Sequence, residues 1–421
     1  MNNGKSSIER LSDFVVNLLA RPMIRFGEYP AVSSVRDGLV ATIPLIIIGS
    51  LFLLLSMLGQ DNTFSSHKLL PFLAPYSAVM VLFFQLTMGF MALYAAVAIG
   101  IIYAGNLNVD RVGAALLALS SFILFNINDI SSGMNVSGFG AGGLFTAIVS
   151  SLLSIRCYAL FLQHKIVIKM PEGVPPNVVN AFVALIPYSV ILTVFWLLRS
   201  GFNFDFTQFL NASLVPFVNA SDNVVMFIII KFITLLLWSV GMHGDNMLSP
   251  VVSPMLYQWV SDNAKAVSEG VGLTQLPHIW TTVVDRMSVW PAAVWSVLFL
   301  MWRSPVKSAK QLAVMATPAA VFTIIEPIVF GLPLVLNPFL IVPFILSGTV
   351  GSLITYVVFD LHWINRVFVE LPWATPPFIS GYIATGGDWL APCIVFINFL
   401  VGVVIYYPFW KAWEKSQLVK N

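Results

Sequence analysis

Charged residues are scarce in this chain of 421 residues, since only 10% of them are Asp, Glu, Lys or Arg. Soluble proteins carry about 25% charged residues, because their surfaces face water. The 21 basic and 19 acidic residues give a net charge of only +2. This composition excludes an ordinary soluble protein, and we expect no nucleic-acid partner.

Cysteine is nearly absent as well, with only Cys157 and Cys393. Two isolated cysteines form no metal-ligand or disulfide pattern, so we expect small apolar fillers in or beside membrane segments. No metal site and no cofactor are predicted. The first 34 residues are polar and charged without an early apolar run, so we predict no cleavable signal peptide.

Apolar residues, in contrast, make up 58% of the chain and recur in runs near the length that spans a bilayer, about 20 residues. We predict an all-α polytopic membrane protein with about ten transmembrane helices plus re-entrant hairpins. The candidate spans are Leu39–Leu58, Tyr76–Ala104, Val112–Ile127, Gly143–Leu162, Ala181–Leu198, Val224–Val240, Val289–Trp302, Leu312–Ile325, Pro338–Phe359 and Pro392–Trp410.

Basic residues are concentrated in alternate loops, which orients a membrane protein because cytoplasmic loops are enriched in Lys and Arg. The N-terminal segment carries five basic residues, and the loop Arg303–Lys310 and the C-terminal tail carry three each. The loops Asn126–Gly142 and Ser200–Asn223 contain none apart from Arg199 at an edge. Both termini are therefore predicted to be cytoplasmic.

Three apolar segments contain too many Pro and Gly residues for plain helices: Met242–Val260, Glu326–Asn337 and Leu371–Trp389. They are also too apolar for long solvated loops. We predict re-entrant hairpins, whose helix N-termini and free carbonyl groups can hydrogen-bond a polar ligand.

Two ionisable residues stand beside such breaks. His243 follows an apolar run that contains Lys231 and Thr234, and Glu326 follows Leu312–Ile325. A charge at the bilayer centre costs about 2.5–3.5 kcal/mol on insertion scales, so a charged residue there marks a functional site. We predict that both line a polar binding site within the membrane, although a helix-packing role is the alternative for His243 alone.

Five motifs then resemble a known family. They are Trp238–Asn246, the run Glu326-Pro-Ile-Val-Phe-Gly-Leu-Pro followed by Leu336-Asn337-Pro338, Trp373–Tyr382, Ala384–Trp389 and Lys169–Val179. Together, in their order along the chain, they resemble the membrane-spanning IIC permease of the bacterial phosphoenolpyruvate-dependent sugar phosphotransferase system. The most similar branch is the one for lactose, cellobiose and diacetylchitobiose.

That resemblance implies a homodimer in the bacterial inner membrane and a single IIC permease domain. Residues 1–34 would be a cytoplasmic segment, 35–220 mainly a dimerising scaffold, 221–410 mainly a substrate-binding transport part, and 411–421 a cytoplasmic tail. A separate IIB protein would donate a phosphoryl group from phosphocysteine to the sugar as it crosses. The implied substrate is a β-linked disaccharide, with a monosaccharide as the alternative.

The resemblance assigns the reacting sugar hydroxyl to His243 and Glu326, the predicted catalytic residues. Glu326 can hydrogen-bond this hydroxyl or take up its proton, and His243 can hydrogen-bond the same oxygen. Nearby amide, carboxylate and indole groups can contact the rest of the sugar. The predicted substrate-binding residues are Trp238, Gly244, Asp245, Asn246, Asn337 and Trp373.

Plainer structural roles remain open for several of these residues. Asn246 and Asn337 can cap hairpin helices, and any tryptophan, Trp389 included, can anchor at the membrane interface. Lys231 can pair with a carboxylate. Arg36–Asp37 is interpreted as a pair at the membrane interface, and Asp388 as a hairpin cap.

One departure from the family pattern is Ile325, where the family commonly has Asn before the motif glutamate. The site loses one amide group, which predicts an altered choice of sugar. It also leaves open a transport-inactive, sugar-sensing paralogue. An ion-coupled sugar symporter in which Glu326 carries a proton is the other alternative, and it would need no phosphoryl donor.

Overall fold

The computed structural model describes residues 25–59, 70–126, 136–171, 173, 175–332, 334–335 and 337–418, which contain helices and no strand. The first part consists of α1 (Pro30–Leu58), α2 (Ser77–Leu86), α3 (Met91–Asn106), α4 (Arg111–Asn126), α5 (Leu144–Gln163), α6 (Pro176–Trp196) and α7 (Phe206–Ser221). The second part consists of α8 (Val224–Ser239), α9 (Gly244–Ser268), α10 (Thr282–Trp290), α11 (Ser296–Trp302), α12 (Lys307–Val321), α13 (Glu326–Gly331), α14 (Pro338–Asp360), α15 (Pro377–Ala384) and α16 (Leu390–Leu418).

The predicted all-α membrane fold is confirmed. Seven helical segments are long and apolar enough to cross a membrane, and α4 and α8 are shorter apolar helices. The predicted count of about ten crossings stays a prediction. The residues Lys5, Arg10, Arg21, Pro333, Leu336 and Lys420, together with 127–135, lie outside the described residues.

Several predicted boundaries need correction. The first span begins at Pro30 and not at Leu39, and residues 87–90 divide the span placed at Tyr76–Ala104 into α2 and α3. The span placed at Val289–Trp302 begins at Thr282, and a π-helical segment, Pro291–Trp295, joins α10 to α11. The segment Met242–Val260 is not broken throughout, because α9 continues through Pro250 and Pro254. The only non-helical residues here are the turn at 240–243. The predicted hairpin therefore consists of α8, this turn and α9.

This turn depends on two glycines. Gly241 has φ +89°, in the left-handed region that glycine adopts without strain. A Cβ at Gly244 would lie 2.2 Å from the carbonyl oxygen of Thr234, so only glycine lets α9 begin this close to α8. The two glycines therefore bring His243 against the end of α8.

A second break lies opposite. After α12 ends, Thr323 takes φ +63°, and α13 begins at Glu326 with Pro327 in its first turn. The irregular segment 361–376 approaches from the other side, and the Thr323 hydroxyl donates to the carbonyl oxygen of Trp373 at 3.0 Å. The predicted breaks at Glu326–Asn337 and Leu371–Trp389 are thus observed, and they face each other.

The first part packs mainly through α1, α3, α4 and α5, and the second around α10, α14 and α16. Ser50 of α1 connects the two parts, because its hydroxyl donates to the Glu370 carbonyl oxygen and accepts from the Glu370 N–H, both at 3.1 Å. The functional division at residue 220 stays a prediction.

Candidate functional site

A cavity of about 560 Å³ lies where these breaks meet. Its wall is formed by α1, the turn between α8 and α9, the start of α10, the segment before α13, and residues 370–373. The lining residues are Ile43, Ile47, Trp238, His243, Asp245, Asn246, Ser253, Tyr257, Thr282, Asp285, Arg286, Trp290, Thr323, Ile325, Glu326, Glu370, Leu371, Pro372 and Trp373.

His243 is the N-cap of α9, and its Nδ1 accepts the backbone N–H of Asn246 at 3.2 Å. In the neutral ring the proton must then be on Nε2, because the other nitrogen is already an acceptor. This Nε2 lies 3.6 Å from Oε1 of Glu326. That distance is too long for a hydrogen bond, and it leaves both groups available to one shared hydroxyl.

Both side chains are accessible from the cavity, since His243 is 36% and Glu326 43% exposed. Trp238, by contrast, is buried, and its ring lies 4.3 Å from the His243 ring. The Trp238 Nε1 also donates to Oδ2 of Asp245 at 2.9 Å. Trp238 therefore fixes the His243 ring and the Asp245 carboxylate together.

Two buried ion pairs complete the wall. Lys231 Nζ lies 2.6 Å from Oδ2 of Asp285, whose Oδ1 accepts from Trp280 Nε1 at 2.8 Å. The predicted alternative, that Lys231 pairs with a carboxylate, is what the structure shows. Because the partner Asp285 lines the cavity, the pair places a charged group in the wall.

The second pair joins Arg286 to Glu370, with NH2 and Oε1 3.2 Å apart and side chains 7% and 5% exposed. Arg286 also donates to the carbonyl oxygens of Pro372 at 2.6 Å and Leu371 at 3.1 Å. These bonds hold the irregular strand-like segment before Trp373 against α10. The two pairs give the cavity wall the charged groups of Asp285, Arg286 and Glu370 besides Glu326.

Sequence reasoning missed Asp285, Arg286 and Glu370. The start of the span at Val289 assigned Asp285–Arg286 to a loop, although a charged pair beside an apolar run was a signal for a buried site. No pattern in the sequence indicated that Glu370 would be its partner, because the two residues are 84 positions apart.

The other predicted site residues divide into two groups. Trp373, 68% exposed, lies in the cavity wall with Asp245 and Asn246, as does Ile325, which is buried. Gly244 and Asn337 do not line it: Gly244 allows close helix packing, and Asn337 caps α14 by accepting from the Phe339 N–H at 3.0 Å.

The remaining candidates, Trp389, Asp388, Arg36 and Asp37, do not line the cavity. Trp389 packs on Tyr382 with ring centroids 4.6 Å apart, and Asp388 accepts from the backbone N–H groups of Asn365 and Leu390. Arg36 and Asp37 form an adjacent pair at 2.7 Å. In the part of the chain described here, no group of three His, Cys, Asp or Glu residues is arranged to hold a metal ion.

Comparison with known proteins identifies the family. Residues 36–348 match the family model described as Phosphotransferase system, EIIC. The cellobiose-specific EIIC component of Geobacillus stearothermophilus is 31% identical over 94% of this chain and 93% of its own length. The lactose-specific EIICB component of Streptococcus mutans is 26% identical over 92% of this chain but only 70% of its own length.

The structural comparison agrees over nearly the whole chain. The crystal structure of ChbC, the IIC component of an N,N'-diacetylchitobiose-specific phosphotransferase system, superposes with a TM-score of 0.86. It is 26% identical, and the match covers 97% of this chain and 99% of that one. The chain therefore belongs to the EIIC family of phosphotransferase-system permeases.

Proposed function

We propose that this permease binds a β-linked disaccharide in the cavity between the α8–α9 turn and the α12–α13 break and releases it phosphorylated into the cytoplasm. The observation that carries the proposal is the pair His243 and Glu326, 3.6 Å apart in the wall of a cavity of about 560 Å³. Ligand pockets measure about 300–1,000 Å³, so the cavity is suited to a small sugar.

This geometry supports the following transfer. A sugar hydroxyl between His243 Nε2 and Glu326 Oε1 donates to the carboxylate and accepts from the imidazole N–H. Its oxygen attacks the phosphorus of phosphocysteine on the IIB partner, so that a P–O bond forms while the P–S bond breaks and the thiolate leaves. The hydroxyl proton passes to Glu326, which acts as the base. Positioning and charge stabilisation supply most of the rate in such transfers.

The sugar class rests on the wall around this pair and on the relatives. Trp373 offers an exposed indole face to the apolar side of a sugar ring. The Arg286–Glu370 pair and Asp285 offer charged groups to hydroxyls of a second sugar unit. The cellobiose and diacetylchitobiose components named above are similar over nearly the whole chain. Both names support a β-linked disaccharide.

The same proposal places the protein as a homodimer in the bacterial cytoplasmic membrane, with both termini in the cytoplasm. Support comes from the exposed basic residues of the loop Arg303–Lys310 and of the end of α16, because basic segments remain on the cytoplasmic side. As an EIIC component the permease works with a IIB partner, and the phosphocysteine donor is the proposed form of that partner.

The experiment measures sugar uptake by membrane vesicles that contain the permease and are loaded with the components named below. One arm contains phosphoenolpyruvate, the general phosphotransferase enzymes and a IIB protein, and the other has only a proton or sodium gradient. We expect labelled cellobiose to accumulate as its phosphate in the first arm alone. Accumulation of unmodified sugar driven by the gradient would contradict the proposal and establish a symporter instead.

A further inference from the structure

One end of the transport part presents a strongly basic surface. Two stretches form it, residues 303–310 after α11 and residues 411–418 at the end of α16. Glu414 is the only acidic residue in these stretches, and its side chain is 5% exposed. The exposed basic residues of this surface are Arg303, Lys307, Lys310, Lys411 and Lys415.

Both stretches are anchored in one apolar cluster, which includes Val306, Ala309, Trp410 and Trp413. The buried Glu414 carboxylate accepts from Trp410 Nε1 at 2.7 Å and from Lys411 Nζ at 2.6 Å. It therefore neutralises Lys411 alone. Within residues 25–418 as described, the other four basic residues form no ion pair.

The first turn of α12 makes this surface more positive. Lys307 and Lys310 lie there, without an acidic residue and without a side-chain cap. The N-terminus of a helix already carries a partial positive charge, so basic residues there oppose local helix stability. Helix formation does not explain this arrangement, whereas attraction of an anionic partner does.

The surface also extends beyond the hydrocarbon core of a bilayer. α16 has 29 residues, and this corresponds to about 43 Å at 1.5 Å per residue. The hydrocarbon core is only about 30 Å thick, and the apolar stretch of α16 ends at Trp410. Lys415 thus lies more than a turn past the apolar stretch, at the level of the headgroups, where a soluble protein can also reach it.

The same surface is connected to the reaction site. α12 begins at Lys307 and, after 15 residues or about 22 Å, leads directly to Thr323 and Glu326 in the cavity wall. A IIB protein that contacts the start of α12 therefore docks on the helix that leads to Glu326, the carboxylate that receives the hydroxyl proton.

We propose that the surface formed by Arg303, Lys307, Lys310 and Lys415 docks an acidic face of the phosphorylated IIB partner. This inference rests on the proposed function. Complementary charges chiefly accelerate association and orient the partner, so the contribution appears in the dependence on IIB concentration and on salt.

The test measures cellobiose phosphorylation by the permease in nanodiscs as a function of the concentration of a purified phospho-IIB protein that supports turnover by the parent. We expect K307E/K310E to raise the apparent KM for phospho-IIB about tenfold, and K415E to raise it less, with turnover at saturating IIB unchanged. The two glutamates should favour the first turn of α12, so misfolding does not account for the effect.

The matched control is K165E/K265E, which changes the net charge equally at two exposed lysines outside this surface. An unchanged KM in K307E/K310E, or an equal rise in the control, overturns the docking surface. Nanodiscs of phosphatidylcholine alone distinguish lipid binding: an effect that appears only with phosphatidylglycerol assigns these lysines to headgroups and also overturns it. If the parent fails to phosphorylate cellobiose or diacetylchitobiose with any IIB protein, the proposed function fails instead.

Discussion

The buried pair Arg286–Glu370 allows the most quantitative prediction. Replacement of Arg286 by Met leaves the Glu370 carboxylate, 5% exposed, without its cation and removes donors from two carbonyl oxygens. Removing one partner of a buried ion pair costs about 3–5 kcal/mol, because the remaining charge stays buried without compensation. We expect R286M to lower the free energy of unfolding by about this amount.

The double variant R286M/E370M separates this cost from loss of packing. Replacing both charges with apolar side chains of similar size is often neutral, so we expect the double variant to be more stable than R286M. The assay is unfolding by sodium dodecyl sulfate in mixed micelles, followed by helical circular dichroism. The control is K265M, since the Lys265–Glu269 pair is exposed at 3.8 Å and contributes at most about 1 kcal/mol.

Two results would refute this reasoning. If R286M lowers the unfolding free energy by less than about 1 kcal/mol, the pair behaves like one exposed to water. The loss of a buried counter-charge then does not have the expected cost. If the double variant loses as much unfolding free energy as the two single variants together, the interaction energy between the two residues is zero, and the ion pair does not contribute to stability.

Four further predictions concern the site and its support. Glu326→Gln should abolish phosphorylation-coupled uptake but retain sugar binding, because Gln forms hydrogen bonds without accepting the proton; uptake and equilibrium binding of labelled sugar measure the two. His243→Ala should weaken binding and transfer together by about 1–3 kcal/mol, seen in the sugar Kd and the turnover number. Ile325→Asn should change the sugar preference, or raise affinity for a family disaccharide about tenfold, in a binding panel of mono- and disaccharides. The free energy of unfolding should decrease above about pH 6.5. Burial lowers the pKa of His278, but Asp222 and Asp262 raise this pKa by a larger amount, so the net shift is upward. The charged form stabilises the fold at low pH, and this contribution is lost as pH rises through the folded-state pKa; unfolding at pH 5 to 9, with His278→Gln as the control, measures it.

Each of these four predictions has a result that would contradict it. Near-normal uptake by Glu326→Gln removes the carboxylate from proton transfer, and unchanged binding and rate in His243→Ala leave that residue a structural role. A folded Ile325→Asn variant with the parent's sugar profile shows that position 325 does not contact the ligand. If the unfolding free energies of the parent and His278→Gln change with pH in the same way, His278 is not the source of the pH dependence.

Sequence alone determined the membrane fold and the approximate positions of most helices, and it predicted the pair His243 and Glu326 as the reacting residues. Scarce charge and apolar runs fix transmembrane helices, because unpaired backbone groups are too costly in hydrocarbon for other structures. His243 and Glu326 stood out because each ionisable group adjoins a helix break in an apolar context. Local chemistry of this kind is written along the chain, and within the described residues a helix lies in each predicted segment, although the number of crossings stays a prediction.

Only the tertiary structure decided which residues meet. The continuation of α9 through Pro250 and Pro254 depends on packing against its neighbours, which overrides the local cost of proline. The Arg286–Glu370 pair joins residues 84 positions apart, and the Ser50–Glu370 contact joins residues 320 positions apart. No local pattern encodes such pairings, because they arise only when separate helices fold around one cavity. The fold also gave Asn337 to a helix cap and Ile325 to the cavity wall, since the position of each backbone, and not its residue type, decides what a side chain contacts.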